Sequence, residues 1–141
     1  MKKTVSNGKI LRIIDANTNR LTEGLRVCED VARFVLSDKD ATRHFKSLRH
    51  RTFAAMQQLG ADKKLLARFR DAGADIGKST LRSEGKRNSV SDIFKANIKR
   101  SEEAMRVLEE FSKLASTTLA DKLKKMRFEL YSLEKKIIEK L

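Results

Sequence analysis

Residues 16–35 and 96–115 are two versions of one amphipathic segment, and that duplication restricts the chain more than any other feature. Seven of the twenty aligned pairs are identical: Ala16/Ala96, Asn17/Asn97, Arg20/Arg100, Glu23/Glu103, Arg26/Arg106, Val27/Val107 and Glu29/Glu109. Unrelated segments of average composition share roughly one. The match resumes after a two-residue slip: Phe45-Lys46-Ser47-Leu48-Arg49 answers Leu123-Lys124-Lys125-Met126-Arg127, and Phe53 answers Tyr131. The matched positions are mainly polar, whereas a repeat kept only for its core would match in apolar ones.

A chain of 141 residues with no proline and 6 glycines, rich in Ala, Leu, Lys, Arg and Glu, predicts one all-α domain around a single core. No apolar run is long enough to span a bilayer, and residues 1–9 lack the apolar stretch of a signal peptide. A cytoplasmic protein is therefore expected, with no membrane partner. The single cysteine, Cys28, falls on an apolar helix face and reads as a small core residue rather than a reactive thiol. Thirty-two Lys and Arg against nineteen Asp and Glu leave a net charge of +13, which implies an anionic partner. Nucleic acid is disfavoured, because the charge is interleaved with acids and aromatic residues make up only 6% of the chain, too few for base-stacking platforms. Phosphorylated small molecules fit better. Homo-oligomerisation is left open.

Five helices are expected, over about 10–36, 38–59, 62–70, 90–115 and 118–140. Ser37-Asp38-Lys39-Asp40 reads as the cap of the second, Gly60 as its stop, and Thr118-Leu-Ala-Asp121 as a capping box opening the fifth. The periodicity vanishes over 71–89, where glycines alternate with polar residues. The expected organisation is a flexible segment at 1–9 and a single domain at 10–141. That domain is a helical bundle of two pseudo-symmetric antiparallel hairpins, repeated over about 10–59 and 90–140 and joined by a short helix and a long loop.

On a helical wheel with Asn17 as zero and about 100° per residue, apolar residues fill an arc from about −100° to +80°. Asn17 lies mid-arc, Arg20 near −60° and Glu23 at the edge near −120°; Asn97, Arg100 and Glu103 repeat the arrangement. A guanidinium buried without a partner is costly. Glu23 and Glu103 could satisfy the arginines structurally, or the two halves could form a cleft where both arginines meet an anionic ligand. Two copies of a costly feature favour the cleft. Arg26, Arg106, Glu29 and Glu109 point away from the stripe and read either as surface ion pairs or as groups recruited by another element.

The segment 70–80 superficially suggests a phosphate loop, but Gly73 leaves three residues, not four, before Gly77-Lys78-Ser79, and no strand precedes it. It still offers the carboxylates Asp71 and Asp75 for a hard cation, with Arg70, Lys78, Arg82, Lys86 and Arg87 for oxyanions. His44 and His50, six apart, do not share a helix face and make no zinc pair.

Together these residues resemble a known family. Arg12-Ile-Ile-Asp15-Ala-Asn17, Glu23-Gly-Leu-Arg-Val-Cys-Glu-Asp30 and Leu48-Arg49-His50 are similar to its opening motifs. Arg70-Asp71 with Asp75-Ile-Gly77 resembles its loop, Ala96-Asn97-Ile-Lys-Arg100 with Glu103-Ala-Met-Arg-Val-Leu-Glu-Glu110 its second helix copy, and Arg127-Phe-Glu-Leu-Tyr131-Ser-Leu-Glu134 its close. The family is the ThiD2-type hydroxymethylpyrimidine phosphate kinase domain, often fused ahead of thiamine phosphate synthase. Here no synthase barrel follows, so a stand-alone form is expected, and Lys78 replaces a small hydroxyl residue.

The resemblance implies transfer of the ATP γ-phosphoryl group, with Mg²⁺, to 4-amino-5-hydroxymethyl-2-methylpyrimidine phosphate, giving the diphosphate for thiamine biosynthesis. It implies phosphate-binding roles for Arg20, Arg49, Arg70 and Arg100, and Mg²⁺ or loop-positioning roles for Asp71 and Asp75, with Arg70, Asp71 and Asp75 catalytic. Asn17 and Asn97 would bond the pyrimidine or orient the arginines, and Glu23, His50, Gly77, Arg87 and Glu103 would complete the binding set. The competing readings are a basic helical RNA-binding or accessory protein, and a non-catalytic partner of thiamine phosphate synthase.

Overall fold

Every helix opens on a side chain that accepts from its own first turn, which is why the breaks fall where they do. In the computed structural model, which describes residues 5–79 and 85–141, the elements are α1 (Gly8–Asp30), α2 (Lys39–Gln58), α3 (Lys63–Phe69), α4 (Val90–Ser112) and α5 (Thr117–Ile138). Their caps are Asn7, Asp38, Asp62, Ser89 and Ser116. The expected box at Thr118 gives way to Ser116, whose hydroxyl accepts from the Leu119 N–H. Gly60 ends the second helix with φ of 74°, a conformation that suits glycine. The described residues contain no strand, so the chain is all-α as expected.

The slip in the repeat has a structural origin. Asp38 and Ser116 are equivalent caps, yet they lie seventy-eight apart while the helices before them match at eighty. The two extra residues fall between α1 and α2, where the chain does not continue as α-helix to residue 36. It widens instead into a π-helical turn, Val31–Val35, closed by the Leu36 N–H donating to the Val31 carbonyl at 3.1 Å.

The helices form a ring in the order α1, α2, α5, α4, with neighbours packed along every side. The pairs α1–α2 and α4–α5 are hairpins. Arg51 to Glu129 and Lys140 to Asp38 run α2 against α5 in opposite directions. The closing pair, α1 and α4, is therefore antiparallel too. Phe45 and Phe94 meet edge to face inside the ring, 6.3 Å between centroids, and Leu21, Leu25, Ile98 and Leu108 are fully buried in the same core.

Helices α1 and α4 approach closely at Gly24. A Cβ built there would stand 2.3 Å from Ser101 Oγ and 2.8 Å from the Asn97 carbonyl oxygen. Ser101 Oγ in turn donates to the Leu21 carbonyl across the interface at 3.4 Å. Outside the ring, α3 packs on α1 through Leu66. Arg70 then grips Asp15 with two bonds of 2.8 and 2.7 Å, anchoring the loop's start beside the first half of α1. Because α4 begins at the far end of α1, the two described ends of the loop, up to Ser79 and from residue 85, both reach the α1/α4 groove.

The wheel's buried arc was misplaced. The buried positions of α1 include Asp15, Thr18, Thr22 and Glu29, moving the arc to about −40° through +160°. Arg20 and Arg100 are exposed, not in the core stripe, and Glu29 and Glu109 are buried, not surface groups. The cause is that α1 packs on α2, α3 and α4 at once, so its buried arc faces α2 as well as α4, and polar residues occupy the α2 side. Both copies shift together: residues 21–30 and 101–110 share one burial pattern position by position. Among the described residues, no helix is long and apolar enough to cross a membrane.

Candidate functional site

A cleft of about 1100 Å³ lies between α1 and α4. One wall is Ala16, Asn17, Asn19, Arg20, Glu23, Gly24 and Val27; the other is Ala96, Asn97, Lys99, Arg100, Glu103, Ala104 and Val107. These are the same seven positions of the two copies, each pair eighty residues apart. The loop closes the cleft with Asp75, Gly77, Lys78, Ser79 and Arg87. Five of the seven identical pairs of the repeat thus face one cavity.

The two remaining identical pairs build a different object. Glu29 is 3% exposed and accepts from Arg49 Nε at 3.1 Å and Arg26 Nη1 at 3.4 Å. Glu109, also 3% exposed, accepts from Arg127 Nε at 3.0 Å and Arg106 Nη1 at 3.3 Å. Arg49 and Arg127 are the partners matched at the slipped register, so each hairpin carries one copy of a buried ion pair. Tyr131 extends the second copy, its hydroxyl accepting from Arg127 at 3.0 Å.

The arginines therefore divide into two groups. Arg26, Arg49, Arg51, Arg70, Arg106 and Arg127 are paired with carboxylates. The hydrogen bonds that Arg70 donates to Asp15 hold its guanidinium above its ordinary pKa, committing it further. Among the described residues, Arg20 and Arg100 form no ion pair; Arg20 makes only a long 3.5 Å contact to Asn17 Oδ1. A solvent-facing arginine in a cleft, not neutralised by a carboxylate, retains its fork of donors for an external oxyanion.

The two asparagines are set alike. Asn17 Nδ2 donates to the Ile13 carbonyl at 2.9 Å, and Asn97 Nδ2 to the Ile93 carbonyl at 2.8 Å. Each amide is oriented by one N–H bonded to its own helix, which leaves the second N–H and the carbonyl oxygen for other partners; in Asn17 that oxygen also receives the long contact from Arg20.

The expected site residues do not all converge. Asn17, Arg20, Glu23, Asp75, Gly77, Arg87, Asn97, Arg100 and Glu103 line the cleft. Arg49 belongs to the buried Glu29 pair, and His50 is exposed on α2. Arg70 faces a separate cavity of about 670 Å³ between α1, α2 and α3. Asp71 does not line the cleft; its Oδ1 accepts from the Ala74 N–H and its carbonyl from Arg12. Arg82 lies outside the described residues. Sequence reasoning missed Asn19 and Lys99, which share one repeat position beside Ala16 and Glu23 on the wheel, and that shared arc was the available signal. Cys28 is fully buried, and burial pushes its thiol well above the ordinary range, so it has no part in thiolate chemistry.

The model of the ThiD2 family matches residues 12–136. Relatives include the thiamine-phosphate synthase of Rhodopirellula baltica, 36% identical over 124 residues, covering 87% of this chain and 32% of that protein. Those of Synechocystis sp. and Gloeobacter violaceus are 38% and 39% identical, each covering 89% of this chain and 35% of the relative. The chain thus spans about a third of the length of the curated relatives it matches. No solved structure matches it. With nearly its whole length matched in one collinear stretch, the chain belongs to the ThiD2 family, related to the thiamine-phosphate synthases of thiamine biosynthesis.

Proposed function

We propose that the α1/α4 cleft transfers the γ-phosphoryl group of ATP to 4-amino-5-hydroxymethyl-2-methylpyrimidine phosphate. The observation that carries this reading is the pair of uncommitted arginines, Arg20 and Arg100, facing one cavity from equivalent positions. An oxygen of the acceptor phosphate forms a bond to the γ-phosphorus while the bond from that phosphorus to the β,γ-bridging oxygen breaks, releasing ADP. The acceptor is a phosphomonoester with a second pKa of about 6, so its attacking oxygen is already mostly ionised at neutral pH and no strong base is needed. The barrier lies in bringing two polyanions together. Arg20, Arg100, Lys78, Lys99 and Arg87 line the cleft with cationic groups for that purpose, and the loop residues Asp75, Gly77 and Ser79 in its wall reduce access of water.

Magnesium, the usual companion of ATP, neutralises charge on the phosphate oxygens when bound. The residues present fit it: Glu23, Glu103 and Asp75 supply carboxylates to the cleft. No group of three or more metal-ligating side chains is preassembled among the described residues; the ion would take one or two of these carboxylates and the rest of its shell from phosphates and water.

The test is to incubate the protein with ATP, Mg²⁺ and the pyrimidine monophosphate and to follow the diphosphate by phosphorus NMR. Turnover is expected in the native chain, with kcat/KM reduced on the order of 10²-fold or more in Arg20→Ala and in Arg100→Ala. Absence of turnover in the native protein, or full activity in both variants, would sink the proposal.

A further inference from the structure

We propose, building on the phosphoryl-transfer reading, that the cleft holds its two substrates head to head, one in each copy of the repeat, with ATP in the half marked by Asn97. Antiparallel packing sets the order of groups along the groove. Ser101 sits level with the stretch from Leu21 to Gly24. Counting from there at 1.5 Å per residue, Arg20 comes level with Glu103, and Arg100 with Glu23. All four charges then fall within about one turn (~5 Å) of the centre. Asn17 and Asn97 fall at opposite ends, roughly 14 Å apart along the axis. Each half therefore repeats one sequence of chemistry from the outside inward: an amide oxygen, then a guanidinium.

That sequence matches a heterocycle bearing an amino group, followed by a phosphate. Both substrates of the proposed reaction follow this order, since adenine and the acceptor ring each present an exocyclic amine beside a ring nitrogen, with the ribose of ATP lying between its base and its phosphates. An Asn tied to its helix through one N–H keeps its carbonyl oxygen and its second N–H, a set that can pair with an exocyclic amine and the ring nitrogen beside it. Two such ligands entering from opposite ends bring their phosphates tip to tip at the arginines. A reaction that passes a phosphoryl group between two phosphate oxygens needs that meeting.

The copies differ where the ligands differ. Position 19/99 is Asn19 in one and Lys99 in the other, and 24/104 is Gly24 opposite Ala104. Lys99 and Gly24 lie toward the Asn97 end, and Arg87 adjoins the start of α4 on the same side. That end has more positive charge, as a triphosphate requires. Lys99 is 64% exposed and only 3.9 Å from Glu102 Oε2, a loose contact that leaves it free to turn to a ligand.

Calorimetric titration of the full chain tests this, using a non-hydrolysable ATP analogue and the pyrimidine monophosphate as probes. The native protein is expected to bind both at once, one of each per chain. Asn97→Ala and Lys99→Asn should each weaken the nucleotide about tenfold and leave the pyrimidine phosphate within about twofold; Asn17→Ala should do the reverse. Lys99 is exposed, so its variant reads the site without risk to folding. Mutual exclusion of the two probes, loss of the same ligand in both Asn variants, or a reversed assignment would overturn the proposal. Simultaneous binding without turnover would leave it standing and remove the kinase reading. Turnover with both Asn variants affecting one ligand would do the opposite.

Discussion

The two buried glutamates show how a polar residue can be matched in a repeat for reasons of stability rather than chemistry. Glu29 and Glu109 each sit in the interior with an arginine from the next helix, and Arg127 is itself almost fully buried. Removing one partner strands the other charge in low dielectric, which costs far more than the intact pair contributes. Arg127→Ala is therefore expected to lower unfolding free energy by about 3 kcal/mol or more, read by urea denaturation. Arg106→Ala, on the exposed partner of the same glutamate, should cost under about 1 kcal/mol. Equal losses from the two would show that Arg127 is no more buried than it looks from sequence. This distinction was hidden from a helical wheel. Periodicity reports the arc on which a residue lies, but Glu29 lies on an arc whose neighbour, α2, is supplied by the tertiary structure. The cleft residues were easier to find, because Asn17, Arg20 and Glu23 were repeated, polar, and set within or at the edge of the expected apolar arc. Arg49, Arg70 and Asp71 were placed in the site by motif alone, and their partners, Glu29, Asp15 and Ala74, come from contacts that spacing does not encode.

At the scale of the element, helix order and type were legible because the chain has strong caps and no proline to interrupt a helix. What was not legible is how closely α1 and α4 approach. Glycine in a helix interior costs about 1 kcal/mol relative to alanine, and periodicity gives no reason for one at position 24. In the folded protein it is the point where a side chain would strike the Asn97 backbone. Gly24→Ala should therefore destabilise, against its favourable propensity, by roughly 1–3 kcal/mol. Its melting temperature is the measurement. Ser101→Ala on the same background should recover only part of the loss, because the hydroxyl leaves but the backbone carbonyl stays. A Gly24→Ala variant as stable as the native chain would mean the helices can part without cost, and that the cleft's width is not set here. The π-helical turn belongs to the same scale. It was visible in the sequence only as a change of register between the two copies, since a slip of two residues says that something was inserted but not what shape it takes.

Across the whole molecule, stability is bounded from both sides of pH by carboxylates in opposite environments. Glu102 sits 3% exposed on α4, its Oε1 without a hydrogen-bond partner, and burial together with the neighbouring Glu134 pushes its pKa up to about 8. The native state then holds a proton that the unfolded chain releases near its ordinary value of 4.5. Stability from this group is complete below that value and declines as pH rises toward 8. The interface of α2 with α5 behaves oppositely. Hydrogen bonds from Arg51 hold Glu129 below its ordinary pKa, and the Ala41 N–H and Lys140 do the same for Asp38. Their contribution is present above the ordinary carboxylate range and lost as pH falls through the lowered values. Acidification also adds positive charge to a chain that already carries +13. The melting temperature is therefore expected to peak in mildly acidic solution, near pH 5–6, and to fall on either side. Glu102→Gln keeps the shape of the buried group without its titration, so it should flatten the decline between pH 5 and 8 and raise the melting temperature at pH 8.5 by ~3 °C or more. The acid limb should be unchanged in that variant and lost earlier in Glu129→Gln. If Glu102→Gln leaves the alkaline slope intact, the proton is not held at this pair, and the decline has to come from elsewhere in the bundle.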